Sequence, residues 1–185
     1  MVTFALIDTE TTDLTLHPSV DFRRQPRMVE FAAVLTDGEV ITDEIQYMVN
    51  PMRRIAPEAS KVSNISDDDV FDLPPMSLKR LEQTALFLAK ADVIIAHNLS
   101  FDRQIMLTEC KHLDRSLNDL CWPKIEVCSV EETQFAFGKP MKLIQLYELV
   151  FGEYKQKHRA RDDLNLLHAI CRKYGIYVAV QRLYT

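Results

Sequence analysis

Apolar runs of two different periodicities alternate along the 185-residue chain. Strand patterns, rich in apolar and β-branched residues, fall near residues 3–8, 28–36, 39–48, 92–96 and 125–128. Helical patterns, with apolar residues three or four positions apart, fall near residues 77–90, 99–112, 142–151 and 160–174. Three strands followed by alternating helices and strands predict an α/β fold, with a mixed sheet and helices on both faces.

Turn signals separate these elements. Gly38, within residues 36–39, indicates a hairpin, so we expect the second and third strands to be antiparallel neighbours. Ser66, with Asp69 three positions later, predicts a capping box for a short helical turn. No linker or repeat interrupts the pattern, and the length fits a single domain over residues 1–185.

Composition and charge narrow the function classes. The chain is 47% hydrophobic and 26% charged, as in ordinary globular proteins. No apolar run reaches membrane length and no secretory signal pattern starts the chain, so we expect a cytoplasmic protein without a membrane partner. The net charge of −5 argues against broad electrostatic binding to a duplex, but not against binding a few nucleotides at a strand end.

The four cysteines contain no Cys-x-x-Cys pair, and we expect them to be reduced. A zinc site from Cys110, His112, Cys121 and Cys128 is an alternative, although its spacing fits no standard finger.

Basic residues are concentrated in two segments. The first precedes the second strand and is equally consistent with a solvated surface. The second flanks a pair of acids at 162–163, which favours contact with phosphate. The two segments contain Arg23, Arg24 and Arg27, and Lys155, Lys157, Arg159 and Arg161.

Two acids stand at the end of the first strand. Side chains alternate along a strand, so Asp8 and Glu10 point to the same side. They repel each other unless a cation lies between them, and a hard ion such as Mg²⁺ or Mn²⁺ suits carboxylate oxygens. Taken alone, the pair is also consistent with two solvated acids in a polar turn.

Acids recur at two later points. The segment His97-Asn98-Leu99-Ser100-Phe101-Asp102 follows the fourth strand and places Asp102 in the first turn of a helix, where an acid also simply favours the helix dipole. His158 precedes Asp162 and Asp163 at the start of the last long helix. A histidine can accept a proton near neutral pH.

Together these segments resemble the pattern of the DEDDh exonucleases, the superfamily of the bacterial DNA polymerase III proofreading subunit and ribonuclease T. The pattern is Asp-x-Glu, then His-Asn-x-x-Phe-Asp, then His followed five positions later by Asp. The resemblance spans about residues 3–175. It implies a ribonuclease H-like fold with a five-stranded mixed sheet of order 3-2-1-4-5, and convergence of the motifs at the end of the central strand.

The resemblance also implies a metal-dependent reaction with two Mg²⁺ or Mn²⁺ ions. Asp8 would bridge the ions, Glu10 and Asp163 would complete the first site, and Asp102 would support the second. His158 would take the proton from the attacking water.

Apolar spacing alone does not choose between Asp162 and Asp163. The five-residue spacing from histidine, taken from the resemblance, selects Asp163 as the metal ligand.

Five further residues are candidates for substrate binding by resemblance. Leu14 matches the position that wedges against the terminal base. The candidates are Thr11, Leu14, His97, Asn98 and Phe101. For His97, Asn98 and Phe101, core packing and helix capping are the alternatives.

The implied function is 3′→5′ exonucleolytic hydrolysis of single-stranded DNA, with release of nucleoside 5′-monophosphates. An exoribonuclease with the same site is an alternative, because both nucleic acids share the phosphate chemistry. A non-catalytic nucleic-acid-binding or polymerase-associated subunit is another. The short segment after the third motif favours a free-standing enzyme, with a polymerase or other replication protein as an open partner.

Two positions depart from the family pattern. Asp13 and Asn64 stand where relatives usually carry glycine. Both residue types tolerate left-handed backbone, so we expect such turns at both positions. The extra charge of Asp13 is expected to weaken nucleic-acid binding.

Overall fold

Five strands form one mixed sheet in the computed structural model, which describes residues 2–154 and 159–184. The strands are β1 Phe4–Thr11, β2 Met28–Thr36, β3 Ile41–Met48, β4 Val93–Ala96 and β5 Ile125–Cys128. Their order is β3-β2-β1-β4-β5, which confirms the predicted topology. β2 is antiparallel to both of its neighbours, whereas β4 is parallel to β1 and to β5.

Helices cover both faces of the sheet. Four of them, α3, α4, α6 and α7, agree closely with the helical periodicity of the sequence, because each buries apolar residues spaced three or four positions apart. The helices of the described ranges are α1 Pro57–Ser63, α2 Asp67–Val70, α3 Leu78–Leu88, α4 Leu99–His112, α5 Ser129–Phe137, α6 Leu143–Phe151, α7 Ala160–Lys173 and α8 Ile176–Gln181.

Two apolar cores lie on opposite faces of the sheet. Leu6 of β1 belongs to the core formed with α6, α7 and α8, whereas its neighbour Ile7 belongs to the core formed with α3 and α4. This division follows from the alternation of side chains along a strand. Every residue of β2 is buried, as expected for an inner strand covered on both faces. The sheet is therefore a rigid platform for side chains at the strand ends.

β1 is longer than predicted, because it continues through Thr11. Asp8 and Glu10 thus both lie inside the strand, whereas the predicted strand ended at Asp8. Glu10 is paired with Glu30 of β2, and the register shifts immediately after Glu10. Regular strand geometry therefore holds both acids on one side of the sheet.

Three short helices, α1, α5 and α8, were not predicted. Helices of this length are marginal by themselves and form where tertiary packing stabilises them. α8 begins after Gly175, which has φ +67°, and buries Tyr177 against Phe4 with 4.8 Å between the ring centroids. Phe135 of α5 is 87% exposed, so this helix shows no clear apolar stripe.

The predicted turns are present. Gly38 has φ +101° in the β2–β3 hairpin, and a Cβ there would lie 3.2 Å from the Cβ of Tyr177. The Ser66 amide donates to Asp69 Oδ2 at 2.7 Å at the start of α2, and Asn64 is left-handed with φ 55°.

The cysteines of the described residues are free thiols. The zinc alternative is wrong, because Cys110, His112, Cys121 and Cys128 do not form a metal-binding group among residues 2–154 and 159–184. Within residues 2–154 and 159–184, no helix is long and apolar enough to cross a membrane.

Candidate active site

Three acids from two distant segments converge at one edge of the sheet. Asp8 and Glu10 come from β1, and Asp163 comes from the first turn of α7. Carboxylate oxygens of the three lie within 4.8 Å of one another. The group includes Asp163 and not Asp162, in agreement with the five-residue spacing from His158. Strand alternation and the docking of α7 against β1 together produce this arrangement.

The fourth predicted acid, Asp102, lies beside this group but makes a different contact. It is 2% exposed in the first turn of α4, and its Oδ1 accepts a hydrogen bond from the Thr9 hydroxyl at 2.8 Å. Thr9 faces the α4 side of the sheet because it alternates with Asp8 and Glu10. Sequence analysis missed Thr9, although its place between two acids was a usable signal.

Burial and the neighbouring acids raise the pKa values of Asp8 and Glu10, and burial raises the pKa of Asp102. Burial, followed by the charges of Asp102, Glu10 and Asp163, raises the pKa of Asp8 well above its usual range. Burial and the nearby Asp163 raise the pKa of Glu10 to about 8. Burial raises the pKa of Asp102 to about 7, against the opposing effect of the hydrogen bond from Thr9.

Such crowding suits a bound cation. A divalent ion favours the charged forms of all the carboxylates at once, and oxygen ligands are those that Mg²⁺ and Mn²⁺ prefer. The donor set therefore fits the divalent metal that the family resemblance implies.

A buried acid next to the group, Glu30, fixes the start of α7. It is fully buried on β2 and accepts hydrogen bonds from Arg159 Nε at 3.0 Å, Arg159 Nη2 at 2.6 Å and the Ala160 amide at 3.2 Å. Although burial opposes ionisation, the bonds from Arg159 and Gln46 hold the pKa of Glu30 below its ordinary value. Sequence analysis missed this residue, which is the single charge in the apolar segment 28–36.

This contact changes the interpretation of the second basic segment. Arg159 is bound to Glu30, and Arg161 donates to Glu44 at 2.7 Å and to Asn165 at 2.7 Å. Both guanidinium groups expected at phosphate are instead engaged within the protein. Lys155, Lys157 and His158 lie outside the described residues.

The first basic segment is likewise engaged. Arg27 donates to both carboxylate oxygens of Glu109 at 2.8 Å, and Glu109 is 1% exposed. Arg23 pairs with Asp21 at the surface. The solvated-surface interpretation thus fits Arg23, whereas Arg27 has a buried structural role.

The loop after the first motif presents Leu14 to solvent. Leu14 is 77% exposed, and its amide donates to Asp13 Oδ1 at 2.7 Å. Thr11 is buried, and its hydroxyl donates to the Asp13 carbonyl at 2.7 Å. Asp13 does not have positive φ, so the expected left-handed turn at this position is wrong. The Asp13 carboxylate instead stabilises the turn by accepting the hydrogen bond from the Leu14 amide, without the positive φ that glycine allows.

Buried Gln25 anchors the same loop to α4. Its Oε1 accepts from the Leu16 amide at 3.0 Å and from Gln104 Nε2 at 2.7 Å, and its Nε2 donates to the His17 carbonyl at 3.0 Å. An amide that satisfies both donor and acceptor atoms across a loop restricts the loop's position. Leu14 therefore projects from an anchored segment.

His97 connects the second motif to the helices beyond it. Its Nδ1 lies 2.9 Å from Ser129 Oγ and its Nε2 lies 2.9 Å from the Met141 carbonyl oxygen. Since a carbonyl only accepts, Nε2 carries the proton in this arrangement. Burial lowers the pKa of His97, which favours this neutral form. Both ring nitrogens are thus occupied within the protein.

The other two residues of the second motif differ in exposure. Asn98 is exposed, with left-handed backbone at φ 69°, immediately before α4. Phe101 is half-buried and packs against the core on the α4 side. The packing alternative therefore applies to Phe101 in part, whereas Asn98 occupies the N-cap position of α4 without a side-chain capping bond, and its Oδ1 accepts from Ser100 Oγ at 3.2 Å.

A comparison with known protein families identifies the chain. The exonuclease family model of the ribonuclease T type matches residues 5–171. The chain belongs to the exonuclease family. This membership confirms the superfamily that the three motifs indicated, and with it a 3′→5′ exonuclease, a hydrolase of phosphodiester bonds. Divalent-metal dependence is general in this family, and the acidic group fits it.

Among curated proteins, the exonuclease chain is 27% identical to DNA polymerase III subunit epsilon of Treponema pallidum over 164 residues, covering 88% of this chain and 71% of that protein. It is 29% identical to the PolC-type DNA polymerase III of Thermotoga maritima over 87% of this chain and 11% of that protein. The chain thus spans a small part of the PolC-type relatives.

Solved structures share the fold. Exonuclease X in complex with 5′-overhanging duplex DNA superimposes with a TM-score of 0.66 at 24% identity, covering 92% of this chain and 90% of that one. A structure of exonuclease I gives a TM-score of 0.68 at 18% identity, covering 93% and 40%. These similarities confirm the ribonuclease H-like architecture.

Proposed function

We propose that this exonuclease removes nucleotides one at a time from the 3′ end of single-stranded DNA and releases nucleoside 5′-monophosphates. The observation that carries the proposal is the meeting of Asp8, Glu10 and Asp163 within 4.8 Å, with buried Asp102 beside them. Two structural neighbours add support, since exonuclease X was solved with 5′-overhanging duplex DNA and exonuclease I with single-stranded DNA.

The proposed cofactors are two Mg²⁺ or Mn²⁺ ions. Asp8, Glu10 and Asp163 would hold the first ion, and Asp8 with Asp102 would hold the second. Such ions supply an activated water and stabilise negative charge on the phosphoryl and leaving oxygens. Thr9 orients Asp102 through its 2.8 Å hydrogen bond and favours the charged form that a cation needs.

The proposed base is His158. A ring nitrogen of its neutral imidazole accepts the proton of the attacking water, so activity should rise as the pH passes its pKa. His158 directly precedes Arg159, which Glu30 holds against the sheet. Replacing His158 by alanine should lower kcat by roughly 10²–10⁴-fold without loss of fold. A variant with unchanged kcat and pH profile excludes His158 from the reaction.

The proposed substrate contacts lie around the acidic group. Leu14, exposed on the loop anchored by Gln25, wedges against the terminal base. Asn98 offers an exposed side chain for the sugar, and Thr11 and Phe101 shape the adjoining surface. Both ring nitrogens of His97 are engaged with Ser129 and Met141, so His97 supports the shape of the adjoining surface instead of binding the substrate through its nitrogens.

A replicative polymerase is the proposed protein partner. The support is the similarity to DNA polymerase III subunit epsilon over 88% of this chain. Co-purification of the two proteins by size-exclusion chromatography tests the association, and independent elution at micromolar concentration contradicts it.

The central experiment digests 5′-labelled single-stranded DNA and RNA of the same sequence side by side, with Mg²⁺ and with EDTA. We expect a descending ladder from DNA in Mg²⁺, nucleoside 5′-monophosphates as products, and slower digestion of a 3′-phosphorylated strand. Asp8→Ala is the inactive control. Faster digestion of RNA selects the exoribonuclease alternative. Dominant cleavage of circular single-stranded DNA contradicts exonucleolytic action.

A further inference from the structure

Two buried glutamates of this protein bind arginine in the same way. Glu109 of α4 accepts from Arg27 Nε and Nη2 and from the amide of the next residue, Met28. Glu30 of β2 accepts from Arg159 Nε and Nη2 and from the amide of the next residue, Ala160. We call these contacts the α4 clasp (Glu109, Arg27, Met28) and the α7 clasp (Glu30, Arg159, Ala160).

The α7 clasp starts from a rigid position. Glu30 is paired with Glu10 on β1 and with Met48 on β3, so its backbone is held on both sides. Gln46 Nε2 also donates to Glu30 at 2.8 Å, which satisfies a further lone pair of the buried carboxylate. The carboxylate therefore has little freedom to follow a movement of α7.

From Glu30, hydrogen bonds lead directly to the third motif. The carbonyl of Arg159 accepts from the Asp163 amide at 3.1 Å, so Arg159 links Glu30 to a member of the acidic group. A displacement of Arg159 therefore moves Asp163 relative to Asp8 and Glu10.

Stability alone is a weak reason for such a contact. Burial of the Glu30 carboxylate costs desolvation energy, and well-packed apolar residues of similar volume often stabilise a protein as well as a buried ion pair does. Glu30 moreover adds a negative charge that raises the pKa of the neighbouring Glu10. A bidentate pair supplies a fixed direction that apolar packing lacks.

We propose that Glu30 is a positioning residue for catalysis, which sets Asp163 against the acids of β1 through Arg159 and the Ala160 amide. This inference rests on the proposed function of the acidic group. Residues that orient metal ligands from outside typically change metal affinity or activity by 10–100-fold when replaced.

The test compares Glu30→Gln and Arg159→Lys with the matched control Glu109→Gln. Glutamine keeps the size of glutamate but removes its charge, and lysine keeps the positive charge of arginine but not its bidentate geometry. Melting temperature, the affinity for Mn²⁺ alone by calorimetry, and kcat and KM on 5′-labelled single-stranded DNA are measured for each full-length variant.

We expect Glu30→Gln and Arg159→Lys to lower Mn²⁺ affinity and kcat by roughly 10–100-fold, with KM changed by less than about threefold because the DNA-contacting surface is intact. Glu109→Gln should lower the melting temperature at least as much, with Mn²⁺ affinity and kcat within about threefold of wild type. If Glu30→Gln does not fold, Arg159→Lys decides, because Arg159 is 38% exposed and tolerates replacement better.

Equal Mn²⁺ affinity and kcat in the α7-clasp variants and in Glu109→Gln overturn the proposal and leave the proposed function standing. A wild-type protein that binds Mn²⁺ but digests no DNA contradicts the proposed function, while the difference in Mn²⁺ affinity still tests the α7 clasp. A wild-type protein that binds no Mn²⁺ contradicts both.

Discussion

Replacing Glu10 by glutamine should stabilise the metal-free protein near neutral pH. Burial and nearby acids raise the pKa of Glu10 from 4.5 to about 8 in the folded state. At pH 7 the unfolded chain has released this proton, whereas the folded protein mostly keeps it. Folding therefore requires proton uptake, which becomes more costly as the pH rises from about 4.5 to about 8.

The magnitude follows from this pH range. Each pH unit between the two pKa values contributes about 1.4 kcal/mol, or about 3 kcal/mol in total at pH 7. Because Glu10 is only partly buried and coupled to other acids, we expect Glu10→Gln to raise the unfolding free energy by about 1–3 kcal/mol. For a chain of this length, that is a rise in Tm of roughly 3–10 °C.

Thermal unfolding by circular dichroism, in EDTA at pH 4.5 and at pH 7, measures this difference. The gap between Glu10→Gln and wild type should be small at pH 4.5 and larger at pH 7. Adding Mn²⁺ at 100 times its Kd should stabilise wild type by about 2.7 kcal/mol and the variant much less. Exposed Glu82→Gln is the control and should show neither effect.

A variant no more stable than wild type at pH 7, or equally stabilised at both pH values, refutes the electrostatic account of the acidic group. The first outcome would mean that folding does not raise the pKa of Glu10. The second would mean that the stabilisation comes from packing and not from the charge.

Three further predictions concern the same edge of the sheet. Asp8→Ala should leave less than about a tenth of the wild-type rate, measured on labelled single strands; a higher rate would remove Asp8 from the metal site. Asp163→Asn should abolish activity with little loss of stability, whereas Asp162→Asn should keep most activity and lose about 0.3–1 kcal/mol of helix-dipole stabilisation; rates and Tm values of both variants test this, and the reverse pattern reassigns the ligand. Thr9→Val should lower kcat at pH 7 by roughly 10-fold and move the acid limb of the pH–rate profile upwards, because the lost hydrogen bond favours ionised Asp102; an unchanged profile contradicts this role.

The sequence alone was sufficient for the five strands, for helices α3, α4, α6 and α7 and for the order of the motifs, whereas the strand order came from the family resemblance. These features depend on local periodicity, which records which side chains face a core. The match of β2 to residues 28–36 and of α4 to residues 99–112 illustrates this. The shared direction of Asp8 and Glu10 also followed from strand alternation, without knowledge of any partner.

Only the tertiary structure decided which polar groups meet. Glu30 and Arg159 are 129 positions apart, so their contact depends on how α7 docks against β2. The same docking uses the Arg159 guanidinium group that was expected at phosphate, and Ser129 of α5 and the carbonyl of Met141, which precedes α6, occupy the two nitrogens of His97. Periodicity specifies the face of an element on which a side chain lies. A buried polar group must also form a hydrogen bond, because its desolvation is costly, and its partner often comes from a distant element. That partner depends on the three-dimensional arrangement of the elements.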